Sequence, residues 1–440
     1  MKQFNVAILG SGTVGGGVAK ILLEMQDELS NRSDCRINLK KIVELNPEAA
    51  SKKFDIPIDR FCGDGSTLSK EEAGNYINEI IHSNDIDLVV ETIGGKNDFI
   101  YNTAVGICNS KKHLVTANKA LLAERGSGIF QTAKDNGVII GYEASVCGAI
   151  PIIKTIKESF TGDEIISISG IMNGTSNYIL TMMQDENLDF EEALRLAQEN
   201  GYAEADPTLD LNGYDAGHKL LILIKLAFGI DLTMDQLSIK GIENITKEDL
   251  DFAKEMESRV KLICFAEKID QNIYATVSPM MVKNNNFLAD VNGSTNAVRV
   301  VNKYSGTHIL VGKGAGSLET ASSIVADIVF IARYQDQMKN NYSEDKKLKF
   351  TDAKHFAFPY NITFETEDMP GITGLVTTAI GNQKINIDTV GHNRHNKDKA
   401  IFSIAMMPCT LKQIENAVAE IIKMRPGVLL SDPKIIPILH

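Results

Sequence analysis

The sequence predicts an α/β protein in three parts. A doubly wound domain on a parallel sheet comes first, then an α+β domain, then a C-terminal ferredoxin-like βαββαβ unit. Three observations carry this. Short continuous apolar segments alternate with helical ones through the first third of the chain, the pattern of parallel strands covered on both faces. That pattern changes after about Pro151. A charged, aperiodic stretch (Lys339-Asn340-Asn341-Tyr342-Ser343-Glu344-Asp345-Lys346-Lys347) then precedes elements in the order strand, helix, strand, strand, helix, strand.

The elements follow in order. Val6-Ala7-Ile8-Leu9 is a strand, followed by a glycine turn and a helix through Ile21-Leu22-Leu23. A polar stretch over 26–38 separates it from the second strand, Lys41-Ile42-Val43-Glu44. Residues 86–90 form the next strand, ending at Glu91-Thr92-Ile93-Gly94-Gly95. Leu114-Val115-Thr116 and Val138-Ile139-Ile140 continue the series. In the second part, 165–171 is a strand, 188–199 an amphipathic helix and 211–229 a long apolar helix. Residues 274–281 and 308–311 are strands of a mixed sheet, and 317–333 is a helix expected to return to the first domain. The last part is strand 360–365, helix 372–382, strands 385–390 and 401–407, helix 411–424 and strand 429–437. The expected boundaries are 1–135, completed by a helix over 317–335; 136–316 for substrate binding and dimerisation; a linker over 336–352; and 353–440.

A chain of 440 residues is long enough for two or three cores. A net charge of -12 repels nucleic acid and anionic lipid, which excludes both as expected partners. The 6 cysteines are scattered, with no CxxC pair, as expected of reduced thiols in a cytoplasmic protein. The first residues enter a strand at once, with no signal-peptide pattern. No apolar run approaches the ~18 residues that span a bilayer.

Gly10-Ser11-Gly12-Thr13-Val14-Gly15 sits between a strand and a helix, the context in which GxGxxG binds a dinucleotide. Gly10 permits the tight turn, Gly12 admits the pyrophosphate, and Gly15 lets helix and strand pack closely. The helix N-terminus, at Thr13 and Val14, offers N–H groups to phosphate. This makes the first domain a Rossmann domain, with Thr92 and Gly314 also expected at the cofactor. Glu44 or Asn46, at the end of the second strand, is the candidate ribose reader. A carboxylate binds a 2′-hydroxyl and repels a 2′-phosphate, so Glu44 favours NAD. Lys40, Lys41 and Lys52 keep NADP open.

Lys119 follows Thr116-Ala117-Asn118 at the carboxyl edge of the sheet, where ligands bind in open α/β folds. A solvated loop lysine is the plainer alternative. Asp215 and Lys219 are four residues apart on a helix whose next turns, Leu220 to Ile224, are apolar all round. An exposed pair so placed is a routine ion pair; a buried one is costly unless paired or functional. Tyr142-Glu143-Ala144-Ser145-Val146-Cys147-Gly148-Ala149-Ile150-Pro151 is a small-residue turn that can aim carbonyls at a hard cation, or simply a tight turn between domains. Gly170-Ile171-Met172-Asn173-Gly174-Thr175-Ser176-Asn177 is a second polar glycine loop, fit to wrap a small zwitterion. His218, His392 and His395 are read as non-ligands, and Cys147 as a possible nucleophile of a thioester-forming semialdehyde dehydrogenase.

Together the motifs resemble homoserine dehydrogenase. The likeness rests on GSGTVGGG, TANKALLA, YEASVCGAIPII, GIMNGTSNYIL and GYAEADPTLDLNGYDAGHKL. The C-terminal unit, with EDMPGITG opening its first helix, is similar to an ACT domain. The resemblance implies reversible reduction of L-aspartate 4-semialdehyde to L-homoserine with NADH or NADPH, in threonine, methionine and isoleucine biosynthesis. It implies Lys219 as proton donor, with Asp215 and Lys119 completing the polar site. Glu204 would hold the substrate ammonium and Gly174 would line its pocket. The carbonyls of Glu143, Val146, Gly148 and Ile150 would bind a monovalent cation, sodium being the usual one. It further implies a dimer or tetramer and threonine as regulator at the ACT domain. Two departures stand out. Cys147 replaces the family's usual glycine, and Leu318-Glu319 replaces a proline-threonine step. Glu319 would add negative charge near the cofactor, again disfavouring NADP. A non-enzymatic amino-acid sensor is the third reading.

Overall fold

The computed structural model describes residues 1–336, 348–391, 394–396 and 399–439. Most of the expected linker over 336–352, and His392, lie outside the described residues. The described chain divides into two compact units, the first holding 1–165, 218–234 and 302–336, the second 166–217, 235–301 and 348–439.

The first unit is built on a five-stranded sheet in the order Cys35–Val43, Lys2–Leu9, Leu88–Glu91, His113–Thr116, Ile140–Gly141. Every adjacent pair is parallel. Val6, Ala7, Ile8 and Leu9 are all fully buried, which is why the strand is an unbroken apolar run. The helices Thr13–Glu24 and Ser317–Tyr334 share one core, in which Val18 and Leu22 meet Ala321, Ile324 and Ile328.

The polar stretch over 26–38 is not a loop. Residues Gln26–Ser33 form a helix that ends on Asp34 in the left-handed conformation. The second strand then starts at Cys35, six residues earlier than its apolar end suggests. Its buried residues Cys35, Ile37 and Leu39 alternate with more exposed ones, so the strand carried a period-two signal rather than an apolar run.

The second unit carries a mixed sheet. Strand Ile165–Ile171 pairs antiparallel with Ser258–Ile269, which pairs antiparallel with Asn272–Lys283. Ser258–Ile269 is almost continuously buried and showed no alternation to read. The expected helix over 211–229 is interrupted. A short helix Thr208–Leu211 precedes the main one, Tyr214–Phe228. Gly213 takes φ +84° between them, a conformation disfavoured for other residues. A Cβ there would also crowd Ile239 at 3.1 Å.

From Phe358 on, the order among the described residues is strand, helix, three strands, helix, strand, the short middle strand Arg394–Asn396 pairing antiparallel with Lys399–Cys409. The sheet runs Lys434–Leu439, Phe358–Glu367, Lys399–Cys409, Ile387–Val390, each neighbouring pair antiparallel. The helices Ile372–Asn382 and Leu411–Met424 bury Val376, Ile380, Ile414 and Ile421 in its core. The last strand begins later than sequence suggests, after Pro433, and its final residues Ile438 and Leu439 pair with Met281 and Val282. No helix among the described residues is long and apolar enough to cross a membrane.

Candidate active site

The glycine loop is shaped by backbone contacts. Gly10 has φ +86° and its N–H donates to the Val43 carbonyl at 2.8 Å. A Cβ on Gly15 would lie 2.0 Å from the Gly10 carbonyl oxygen and 2.4 Å from Thr92 Oγ1. Thr92 acts as a brace, its hydroxyl donating to the Gly10 carbonyl at 2.7 Å. A Cβ on Gly12 would meet nothing within 4 Å, so open space flanks the loop where a pyrophosphate would lie. Helix Thr13–Glu24 has no side-chain cap and no acidic residue in its first turn. Its first N–H groups, from Thr13 and Val14 on, suit an anion.

Glu44 is engaged within the loop. Its carboxylate accepts the Ser11 N–H at 2.7 Å, the Ser11 hydroxyl at 3.0 Å, the Leu45 N–H at 2.8 Å and the Asn46 N–H at 3.2 Å. Four donors match the roughly four acceptor sites of a carboxylate. A ribose hydroxyl would therefore share or displace one of them.

The second helix of this core begins beside the first. The Ser317 hydroxyl donates to the Thr13 carbonyl, and a Cβ on Gly17 would lie 3.0 Å from the Ser317 carbonyl oxygen. Glu319, expected to bring negative charge here, is paired with Lys313 at 2.8 Å. That pairing holds its carboxyl below the usual range and offsets the charge assigned to it from sequence.

Lys119 opens helix Lys119–Asn136, whose N-cap is Asn118. The Asn118 amide donates to the Gly95 carbonyl at 2.6 Å, and its oxygen accepts the Leu121 N–H at 3.1 Å. Glu91 organises this edge. It is fully buried and accepts the N–H groups of Ile93 and Gly94 and the Thr116 hydroxyl at 2.9, 3.0 and 2.7 Å. Sequence reasoning passed over Glu91, although a carboxylate closing an apolar strand is unusual enough to notice.

Lys219 is 7% exposed and His218 6%. His218 Nε2 lies 2.9 Å from Glu124 Oε1, on the helix that Lys119 opens, and Glu124 also pairs with Lys96. Burial pushes the Glu124 carboxyl up, but the hydrogen bonds from Lys96 and His218 outweigh it and hold it below its ordinary range. This contact anchors the helix turn that carries Lys219 to the helix that Lys119 opens. The spacing of residues 96, 124 and 218 left no trace of this in sequence.

In the second unit, three side chains converge. The Asn173 amide donates to Asp210 at 2.6 Å and to Asp215 at 2.8 Å. Asp215 is 6% exposed. Gly174 starts helix Gly174–Asp185, and a Cβ on it would lie 2.8 Å from the Ser294 carbonyl oxygen. Glu204 is exposed, in the stretch between helices Phe190–Glu199 and Thr208–Leu211. The Thr175 hydroxyl ties this stretch down by donating to the Tyr202 carbonyl at 2.6 Å.

The turn over 143–150 is tightly built. Cys147 and Gly148 take φ +53° and +43°. A cysteine in the left-handed region explains why glycine suits that position. A Cβ on Gly148 would sit 2.7 Å from the Gly314 carbonyl oxygen. The carbonyls of Glu143, Gly148 and Ile150 accept from the Val146 N–H, the Ser323 hydroxyl and the Ile152 N–H at 3.4, 2.7 and 2.8 Å. Each keeps a second lone pair. The Glu143 carboxylate is used elsewhere, capping the turn at Ile153 and Lys154. All 6 cysteines are buried, Cys147 fully so.

Comparison with known proteins shows the family. A family model for the homoserine dehydrogenase NAD-binding domain matches residues 10–143, and one for homoserine dehydrogenase matches 151–329. The homoserine dehydrogenase of Helicobacter pylori is 36% identical over 423 residues, covering 94% of this chain and 96% of that one. That of Bacillus subtilis is 39% identical, covering 76% of this chain and 74% of the relative. The crystal structure of a homoserine dehydrogenase from Thiobacillus denitrificans superposes with a TM-score of 0.88 at 31% identity, covering 100% of this chain and 98% of that one.

Proposed function

The chain belongs to the homoserine dehydrogenase family and is an NAD(P)-dependent oxidoreductase, and from this we propose the assignment of its reaction to particular residues. The reaction is the reversible reduction of L-aspartate 4-semialdehyde to L-homoserine. Bound NADH or NADPH supplies the hydride. The Lys219 ammonium donates its proton to the carbonyl oxygen as that oxygen becomes an alkoxide. Lys119 adds positive charge at the same oxygen, and Asp215 orients the donor. Glu204 holds the substrate ammonium, and Gly174 lines the pocket with backbone.

The observation that supports this reading best is the burial of Lys219 and Asp215 one turn apart on one helix. Burying charged groups is costly, and a proton donor and its orienting carboxylate are groups for which that cost has a use. The test is direct. Purified protein should oxidise NADH or NADPH only when L-aspartate 4-semialdehyde is supplied. No oxidation with either cofactor would reject the assignment.

The carbonyls of Glu143, Val146, Gly148 and Ile150 would hold a monovalent cation such as sodium, bracing the turn. Residues 353–440 act as an ACT-type regulatory domain, as their strand and helix order supports. Gly371 at φ +86° caps helix Ile372–Asn382 behind Asp368-Met369-Pro370, which leaves first-turn N–H groups for an effector carboxylate. Threonine is the proposed effector, and the protein is proposed to work as a cytoplasmic homo-oligomer. Rates unchanged at millimolar threonine would reject that effector.

A further inference from the structure

Asn173 ends the stretch after strand Ile165–Ile171 and caps helix Gly174–Asp185. Its side-chain oxygen accepts the Ser176 N–H at 2.8 Å. That contact fixes which end of the amide is oxygen. The nitrogen must then face the other way, where it donates to Asp210 at 2.6 Å and to Asp215 at 2.8 Å. An amide nitrogen has two protons, and these two carboxylates use both. Asn173 is 4% exposed. A second bond fixes the same turn, since the Ser176 hydroxyl donates to the Asp210 carbonyl at 2.8 Å. The left-handed Gly213 brings Asp210 and Asp215 back to one place in spite of the helix break between them.

Two carboxylates within reach of one nitrogen repel each other, and burial strengthens the repulsion. A neutral amide offsets this by giving each carboxylate a proton to accept without adding charge. We propose that Asn173 is a positioning residue for the reaction, holding the Asp215 carboxylate in its working orientation by bridging it to Asp210. The proposal rests on the reading that Asp215 belongs to the reacting site. Neither asparagine nor the spacing of 173, 210 and 215 marks this role in sequence.

The test compares Asn173→Asp and Asn173→Ser in the full-length protein, with Asp215→Asn measured alongside. Asparagine, aspartate and serine are similarly good N-caps. A capping role alone therefore leaves Asn173→Asp close to the parent. Bridging makes it the worse variant, because it replaces the shared donor with a third carboxylate. The expected loss of kcat/KM for the semialdehyde is roughly 100-fold for Asn173→Asp and roughly 10-fold for Asn173→Ser, mostly in kcat. The dissociation constant for NADH or NADPH, read by nicotinamide fluorescence, should stay within about twofold. Should Asn173→Asp fail to fold, Asn173→Ser decides alone: a kcat loss at an unchanged thermal midpoint supports bridging. Activity of Asn173→Ser near the parent, or Asn173→Asp outperforming it, overturns the proposal. Normal turnover by Asp215→Asn would instead bring down the reading beneath it, and the inference with it.

Discussion

The proposed cofactor end and the proposed substrate end of this enzyme are assembled by different means. At the cofactor end, backbone does the shaping. Gly10, Gly15 and Gly17 let main chain approach main chain, and the charged side chain that reaches the loop from the end of the second strand, Glu44, is occupied with Ser11, Leu45 and Asn46. At the substrate end, side chains do the shaping. Asn173 gathers Asp210 and Asp215, and Thr175 ties down the stretch that leads to Glu204. A backbone-built site tolerates varied surroundings but no added carbon. A site built from side chains tolerates small changes of volume but no change of charge or donor.

The largest expected effect lies on the substrate side. Lys219→Ala should lower kcat by roughly 10²- to 10⁴-fold, the range for losing a positioned proton donor. Affinity for NADH or NADPH should be little changed, because the glycine loop is shaped by its own backbone contacts. Steady-state kinetics with a fluorescence titration of the cofactor checks both halves. Near-normal turnover would remove Lys219 from the chemistry.

The next effect separates two glycines of one motif. Gly15→Ala puts a carbon 2.0 Å from the Gly10 carbonyl oxygen, and the displaced backbone should cost about 1–3 kcal/mol or more. Gly12→Ala meets nothing within 4 Å, so its fold should survive while cofactor affinity drops roughly tenfold or more as the methyl enters the phosphate space. Thermal melts and cofactor titrations on both variants test the contrast. Equal melting losses would mean that the loop is not held by close approach.

These two ends also differ in how far sequence revealed them. The glycine loop was legible because each glycine answers a local steric demand between a strand and a helix. Lys119, Asp215 and Lys219 were legible through their setting, as polar residues at a sheet edge or within an apolar helix. Glu91, Glu124 and Asn173 were not. Their partners lie 25, 94 and 42 residues away, and no local periodicity records such a contact. A different reason hid the strand Ser258–Ile269, which is almost continuously buried, and the helix Gln26–Ser33, whose buried side is narrow: neither shows a clear apolar period.

A third prediction concerns the turn over 143–150, where the backbone-built and side-chain-built modes meet. Burial, with Asp327 nearby, raises the Glu143 carboxyl to about 7. The folded protein then keeps a proton that the unfolded chain releases near pH 4.5. Stability should fall as pH rises from about 4.5 to about 7, and level off above, by on the order of 1–3 kcal/mol from this group. Glu143→Gln should flatten that decline while keeping the backbone carbonyl. Melting curves across pH, parent against variant, show it; parallel profiles would exclude Glu143 as the source.

Glu124→Gln tests whether the Lys219 turn is anchored from the neighbouring helix. The change leaves one acceptor where Lys96 and His218 now share a carboxylate. A loss of about 1 kcal/mol is expected, seen as a several-fold fall in kcat with cofactor affinity unchanged. If cofactor affinity falls and kcat holds, Glu124 serves the cofactor end instead.

The smallest effect belongs to Glu44, and it asks which mode governs cofactor choice. If the Glu44 charge repels a 2′-phosphate, Glu44→Gln should raise the use of NADPH relative to NADH several-fold. If its role is to clasp the loop, the ratio should stay fixed and both cofactors should weaken together. The four donors already on this carboxylate make clasping certain to contribute, so the informative quantity is the ratio of the two kcat/KM values rather than either alone. A glutamine keeps one oxygen for Ser11 and loses the charge. A changed ratio with a modest common loss would therefore assign both roles to one residue, and show that even the backbone-built end uses a side chain where it must tell two ligands apart.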